Sequence, residues 1–175
     1  MTAAVVFSSR TGNTRRLAEC VRDALGGRCV YFGAPDAAAL AADVVYVGFW
    51  TDKGTADEES AAFFPQLAGK TVRLFGTAGF GGSQAYFDAI AARVRGALGE
   101  NCRVLDAFLC QGRMPAPVRA RWAAALEKDP ADARAKQMVE NFDAALSHPD
   151  EADLAALRRW VEKGADGELS PESAP

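Results

Sequence analysis

The chain has 175 residues, a net charge of −3 and one histidine, His148, a length that fits one domain able to bury roughly 70% of its unfolded surface. The mild negative charge offers nothing to a polyanion, so no nucleic acid is expected as partner and a basic protein surface is the better match. The four cysteines, Cys20, Cys29, Cys102 and Cys110, form no CxxC pair and lie in apolar runs; that pattern fits buried thiols in a reducing compartment and argues against a disulfide framework or a metal cluster. No apolar run approaches the ~18 residues of a bilayer span, so a cytoplasmic protein without a membrane span is expected.

In chain order, short apolar runs alternate with helical patterns, giving strands near 3–8, 28–32, 43–49, 71–77 and 103–110, and helices near 13–25, 57–67, 83–98 and 151–163. The runs Val44 to Phe49 and Val72 to Phe75 alternate little, as strands do when helices cover both sheet faces, so the sheet should be parallel. Five such strands with right-handed crossovers give an α/β, doubly wound sheet of order 2-1-3-4-5, whose switch point between strands 1 and 3 places a ligand at the strand C-termini. Helix 83–98 carries a packing stripe at Phe87, Ile90, Ala91, Val94 and Leu98.

Between the fifth strand and the last helix lies an insertion, 111–147, longer than an ordinary connection. Val118, Trp122 and Leu126, then Met138, Val139, Phe142 and Leu146, recur at helical spacing. They predict two helices divided by Lys128, Asp129 and Pro130. The segment reads either as an extra packed layer or as a lid and docking surface beside the ligand. One domain is expected over 1–165, with 166–175 as a flexible tail.

The first strand runs into Ser9-Arg10-Thr11-Gly12-Asn13-Thr14, a loop of hydroxyls, one amide and one glycine that opens a helix. The free amides of a helix's first turn carry the positive end of its dipole, and Ser9, Thr11, Asn13 and Thr14 can add side-chain donors, so the loop can cradle a phosphate; an ordinary βα turn with a Ser/Thr N-cap is the plainer alternative. Neither a GxxxxGK[ST] loop nor a GxGxxG fingerprint is present. After strand 3, Trp50, Thr51 and Asp52 place an indole, a hydroxyl and a carboxylate beside the cleft. After strand 4, Thr77, Ala78, Gly79, Phe80, Gly81 and Gly82 allow close backbone approach to a flat ligand, and Trp50 and Phe80 can stack on it, with Tyr86 as the competing stacker.

The string Ser9 to Thr14 resembles the [ST]x[ST]GxT phosphate loop of flavodoxins, and the other two loops are similar to that family's ring-binding loops. The strings FWTDKGT, FGTAGFGGS, CQGRMP and ENFDAALSHPD further resemble a group of bacterial flavodoxin-family proteins, some encoded with bilirubin reductase. The resemblance implies that FMN is the cofactor. Ser9, Arg10, Thr11, Gly12, Asn13 and Thr14 would take its phosphate, Trp50, Thr51 and Asp52 would meet the ring, and Thr77, Ala78, Gly79, Phe80 and Gly81 would line its polar edge. It also implies an electron carrier, monomeric or weakly dimeric, that serves a partner reductase. An FMN-dependent reductase or oxidase of a quinone or tetrapyrrole is the alternative, with 111–147 as lid and Arg113 or Arg119 holding an anionic substrate. One departure is Thr51, where familiar flavodoxins often carry a glycine that flips as the semiquinone forms; a β-branched residue resists φ > 0, so the semiquinone should be poorly stabilised.

Overall fold

A computed structural model describes residues 1–167 apart from Gly82 and Glu100. Strands β1 (Ala3–Phe7), β2 (Cys29–Gly33), β3 (Val44–Asp52), β5 (Thr71–Ala78) and β6 (Arg103–Gln111) pair in parallel in the order β2-β1-β3-β5-β6. This is the expected doubly wound topology. The sixth strand, β4 (Thr55–Ala56), is a correction to the five expected: it folds back antiparallel on the end of β3, pairing Thr51 with Ala56 and Asp52 with Thr55. Lys53 (φ 48°) and Gly54 (φ 84°) make the turn between them, the two consecutive positive-φ positions that a tight hairpin favours.

The two sheet faces are covered differently. Ala3, Val5 and Phe7 of β1 pack with Leu17, Val21 and Leu25 of α1 (Asn13–Leu25) and with Leu157 and Val161 of α6 (Glu151–Gly167). Ala4 and Val6 face the other way, into a core with Phe63, Phe64 and Leu67 and with Ile90, Val94 and Leu98 of α3 (Gln84–Leu98). Fully burying such side chains contributes about 1.5–3 kcal/mol apiece. At the centre of the sheet, Gly48 of β3 lies opposite Phe75 of β5, and Phe49 lies opposite Gly76. A Cβ on Gly48 would come within 2.4 Å of the Phe75 ring, and one on Gly76 within 2.9 Å of the Phe49 ring.

The helix expected over 57–67 is shorter. α2 (Glu58–Phe63) gives way to a 3-10 turn at Phe64–Leu67 because Pro65 has no N–H to continue the ladder. A further 3-10 turn, Ala37–Ala41, was not anticipated. The insertion forms α4 (Ala116–Lys128) and α5 (Ala133–Ala145), divided around Pro130. Leu146 falls beyond α5 and is 49% exposed, so it leaves the expected stripe. Helix α6 runs to Gly167, into the first two positions of the expected flexible tail; the remainder of that tail lies outside the described residues.

Candidate functional site

The phosphate-type loop joins β1 to α1. Its N-cap is Gly12 at φ 88°, with no side-chain cap, so the plainer reading of a Ser/Thr-capped turn does not describe it. Ser9 Oγ instead accepts from the N–H of Arg15 at 3.1 Å, which leaves the earlier first-turn amides to a ligand. Asn13 and Thr14 are buried, and their side chains turn inward: Asn13 Nδ2 donates to the Arg113 carbonyl at 2.8 Å, and the hydroxyls of Thr14 and Thr77 share a hydrogen bond of 3.3 Å. Gly112 makes this packing possible, since a Cβ there would lie 2.7 Å from Asn13 Nδ2 and 3.0 Å from Thr77 Cβ.

Trp50 stands at the end of β3, its backbone fixed by Asp57. The buried Asp57 carboxylate accepts from Trp50 N–H (3.2 Å), Ser60 N–H (3.1 Å) and Ser60 Oγ (2.9 Å), and caps α2. Arg10 lies over the Trp50 ring at 5.6 Å. Thr51 is held extended by its pairing with Ala56, so the positive-φ residues of this loop are Lys53 and Gly54. The Thr51 Oγ1 atom is buried and has no protein partner.

The loop after β5 is clamped by the insertion. The Gly79 carbonyl accepts from Gln111 Nε2 (3.2 Å) and from Asn141 Nδ2 of α5 (3.0 Å), while Asn141 Oδ1 accepts from Gly81 N–H (3.4 Å) and Gln111 Nε2 (3.2 Å). Two of the backbone groups expected to face a ring are therefore already bonded within the protein. Met114 packs where a Gly79 Cβ would be, within 2.6 Å. Burial pushes the Tyr86 phenol up, and Arg93 partly offsets that, so it stays neutral at physiological pH.

These loops enclose a cavity of about 270 Å³. Of the expected residues, Arg10, Thr11, Asn13, Trp50, Thr51, Thr77, Ala78, Gly79 and Phe80 line it, joined by Tyr86 and by 112–115 of the insertion. Thr14 sits beneath it on Thr77. Ser9, Gly12, Asp52 and Gly81 stand outside the lining: Ser9 faces the neighbouring groove with Glu58 and Glu59, and Asp52 belongs to the β3–β4 hairpin. The positioning residues missed in the sequence are Asp57, Gln111 and Asn141. Only Asp57 has a local signal, an Asp three residues before Ser60 at a helix start. Of the two arginines proposed for an anionic ligand, Arg119 is committed to a two-pronged pair with Asp143 (2.7 and 2.9 Å), whereas Arg113 lines the cavity.

His148 lies next to the cap of α6. The Asp150 N–H donates to Asp153 Oδ2 and the Asp153 N–H to Asp150 Oδ1, each at 2.9 Å, and Asp153 Oδ2 also meets His148 Nδ1 at 2.6 Å. The Asp153 N–H holds the Asp150 carboxyl below the usual range. Through its carbonyl, which accepts from Arg113 N–H at 3.0 Å, His148 steadies the insertion's first residues.

A doubly wound parallel sheet with a hydroxyl-rich β1–α1 loop beside aromatic walls is the flavodoxin architecture, and the sequence matches the flavodoxin domain over residues 4–162. The chain belongs to that family. It is similar to two proteins each described as flavodoxin-like domain-containing protein BilS. The one from Clostridium symbiosum (strain WAL-14163) is 45% identical, covering 92% of this chain and 94% of the relative. The one from Clostridioides difficile (strain CD3) is 27% identical, covering 88% and 90%. The fold is shared with oxidised Flavodoxin 2 from Bacillus cereus, at a TM-score of 0.60 and 17% identity over 95% of this chain and 99% of that one. It is likewise shared with a short-chain flavodoxin associated with a non-canonical PDU bacterial microcompartment, at a TM-score of 0.59 and 19% identity over 97% and 100%. Among the described residues no helix is long and apolar enough to cross a membrane.

Proposed function

We propose that this chain binds FMN and works in the cytoplasm as a single-domain electron carrier for a partner reductase. The observation that carries the reading is one cavity that joins the first-turn amides of α1 to the aromatic side chains of Trp50, Phe80 and Tyr86, with a buried and unpartnered Thr51 hydroxyl in its wall. That orphaned hydroxyl fits a ligand with polar atoms on a flat edge, since a buried polar group without a partner costs about 1–3 kcal/mol. The α1 amides, Thr11 and the free proton of the Thr14–Thr77 pair would hold the phosphate, and the aromatic side chains would hold the ring. Bound FMN supplies one- and two-electron transfer. The protein's part is to fix the ring's orientation, exclude water from it through Met114 and Phe80, and set its electrostatic surroundings. The flavodoxin-like description of both relatives supports the same reading.

Purified protein should be yellow, and its extracted chromophore should be FMN. Recovery of FAD, or no uptake from excess FMN, would sink the reading. Trp50→Ala should weaken FMN binding and raise the fluorescence of what remains bound, because the indole no longer quenches the ring. Unchanged fluorescence would transfer the stacking role to Phe80 or Tyr86.

The cavity position of 112–115 and of Arg113 favours one second reading, an FMN-dependent reductase in which the insertion covers a substrate. Steady-state turnover of a quinone or tetrapyrrole by the isolated protein separates it from the carrier.

A further inference from the structure

Among the described residues that line the cavity, the charged ones are Arg10, Lys53 and Arg113, and all three are cationic. All three are exposed. Lys53 stands on the β3–β4 turn, where Arg93 of α3 adds a fourth cation by donating to the Gly54 carbonyl at 3.0 Å. Arg113 stands on the insertion, held there through both of its backbone groups by His148 and Asn13. Of the nearby carboxylates, Asp52 stands half-buried on the hairpin beside Lys53 without lining the cavity, and Asp57 is buried with its three donors. Glu58 and Glu59 border the adjoining groove beyond Trp50, where they face Arg10. Lys53, Arg93 and Arg113 together still outnumber Asp52 at the mouth. The rim of this mouth is therefore opposite in sign to the chain as a whole, whose net charge is −3.

We infer that the Lys53–Arg93–Arg113 rim is a docking surface for the acidic face of a protein redox partner. Fixed charges of one sign around a cleft steer an oppositely charged partner over a Debye length, about 10 Å at 0.1 M salt. A phosphate in the α1 loop would neutralise Arg10 first, since Arg10 belongs to that loop. Lys53, Arg93 and Arg113 stand on other elements and are left for the partner. This inference rests on the electron-carrier reading and fixes the sign of the partner's surface, reversing the basic partner that net charge alone suggests.

Two experiments test it. With the FMN-loaded, photoreduced protein, oxidation by ferricyanide and by tris(phenanthroline)cobalt(III) is followed against NaCl concentration. The ferricyanide rate constant should fall at least about threefold between low salt and roughly 0.3 M, and the cobalt rate should stay flat or rise. The double variant Lys53→Gln/Arg113→Gln, compared at equal flavin occupancy, should lose most of the ferricyanide dependence, whereas Arg159→Gln on α6 should keep it. A ferricyanide rate that is flat or rises with salt overturns the inference. The second experiment needs no flavin: the unloaded protein in phosphate buffer is titrated with poly-L-glutamate and, separately, poly-L-lysine, and backbone amide shifts are read. Shifts at Lys53, Gly54, Arg93 and Arg113 with polyglutamate support the rim. Shifts confined to Thr11–Thr14, or equal shifts with polylysine, overturn it. A protein that takes up no FMN yet shows the polyglutamate shifts refutes the carrier reading and leaves the cationic docking surface standing.

Discussion

Asn13 and Thr14, on one side of the cavity, are 7% and 1% exposed and belong to a helix whose apolar face is buried against β1 and β5. On the other side, α4 has no buried residue, and α5 buries only Ala135, Phe142 and Ala145. The first wall is continuous with the core and moves only if the fold does. The second is held against the cavity by the amides of Gln111 and Asn141 and by the backbone bonds of Arg113. Its opening free energy is therefore local, at the lower end of what a domain displays. On the FMN-carrier reading proposed above, one rigid and one latched wall would hold a phosphate firmly while the ring side adjusts to a partner.

The sharpest way to break that contrast is to strain the rigid side. Gly48→Ala, beneath it, should cost about 3 kcal/mol, because the methyl meets the Phe75 ring and Phe7 in a filled core. Urea denaturation would show it as a lower midpoint with an unchanged slope. Next, Asp57→Ala should cost about 2 kcal/mol by removing the α2 cap and leaving the Trp50 N–H unpaired. The same denaturation series checks it, and a loss under about 0.5 kcal/mol would show that Trp50 is positioned by something else.

Thr14→Val should weaken FMN about tenfold, or ~1.4 kcal/mol, and riboflavin much less, as read by titration calorimetry with both ligands. Equal weakening would mean that the rigid wall does not hold the phosphate. On the latched side, Asn141→Ala should speed hydrogen exchange at 79–81 and along α5 by roughly five- to tenfold, equivalent to about 1 kcal/mol, while global stability changes little. A fully global loss would erase the distinction between the walls. The smallest effect concerns acid. Arg119 holds the exposed Asp143 carboxyl below its ordinary value. A depressed folded pKa adds stability above the unfolded value, near pH 4, that is lost as pH falls through the folded one. Protection factors within α4 and α5, taken against the intrinsic exchange rate at each pH, should therefore fall slightly on acidification below about pH 4, before those of the sheet respond.

The strand order, both insertion helices and the loop residues meeting at the cavity were legible in the sequence because each is marked locally, by apolar runs, by Pro130 or by the hydroxyl string. β4 was not, since two residues carry no periodicity. Gln111 and Asn141 were invisible for a different reason: each is an ordinary polar residue whose partner, Gly79, lies 32 or 62 positions away. The glycine-rich run 77–82 suggested backbone offered to a ligand, yet Gly81 N–H and the Gly79 carbonyl are engaged by those two side chains. Thr51 illustrates the same limit. Its place after Trp50 invited comparison with a flipping glycine, but the short hairpin keeps it extended and puts the positive φ at Lys53 and Gly54.

The reciprocal pairing of Gly48 with Phe75 and of Phe49 with Gly76 has a bearing on how this fold can drift over generations. Each aromatic ring occupies the volume its neighbour's missing side chain leaves, one on either face of the sheet. Neither member of a pair can enlarge unless the other shrinks. A lineage that first replaced Phe75 by a smaller residue would relieve the tightest contact facing an alanine at 48 and leave only a small shift at Phe7 Cβ, whereas the reverse order would pass through an overpacked intermediate. The order of substitution, and not merely the set of tolerated residues, is thus constrained beneath the cavity, so alternative floors are reachable by one route and closed by the other.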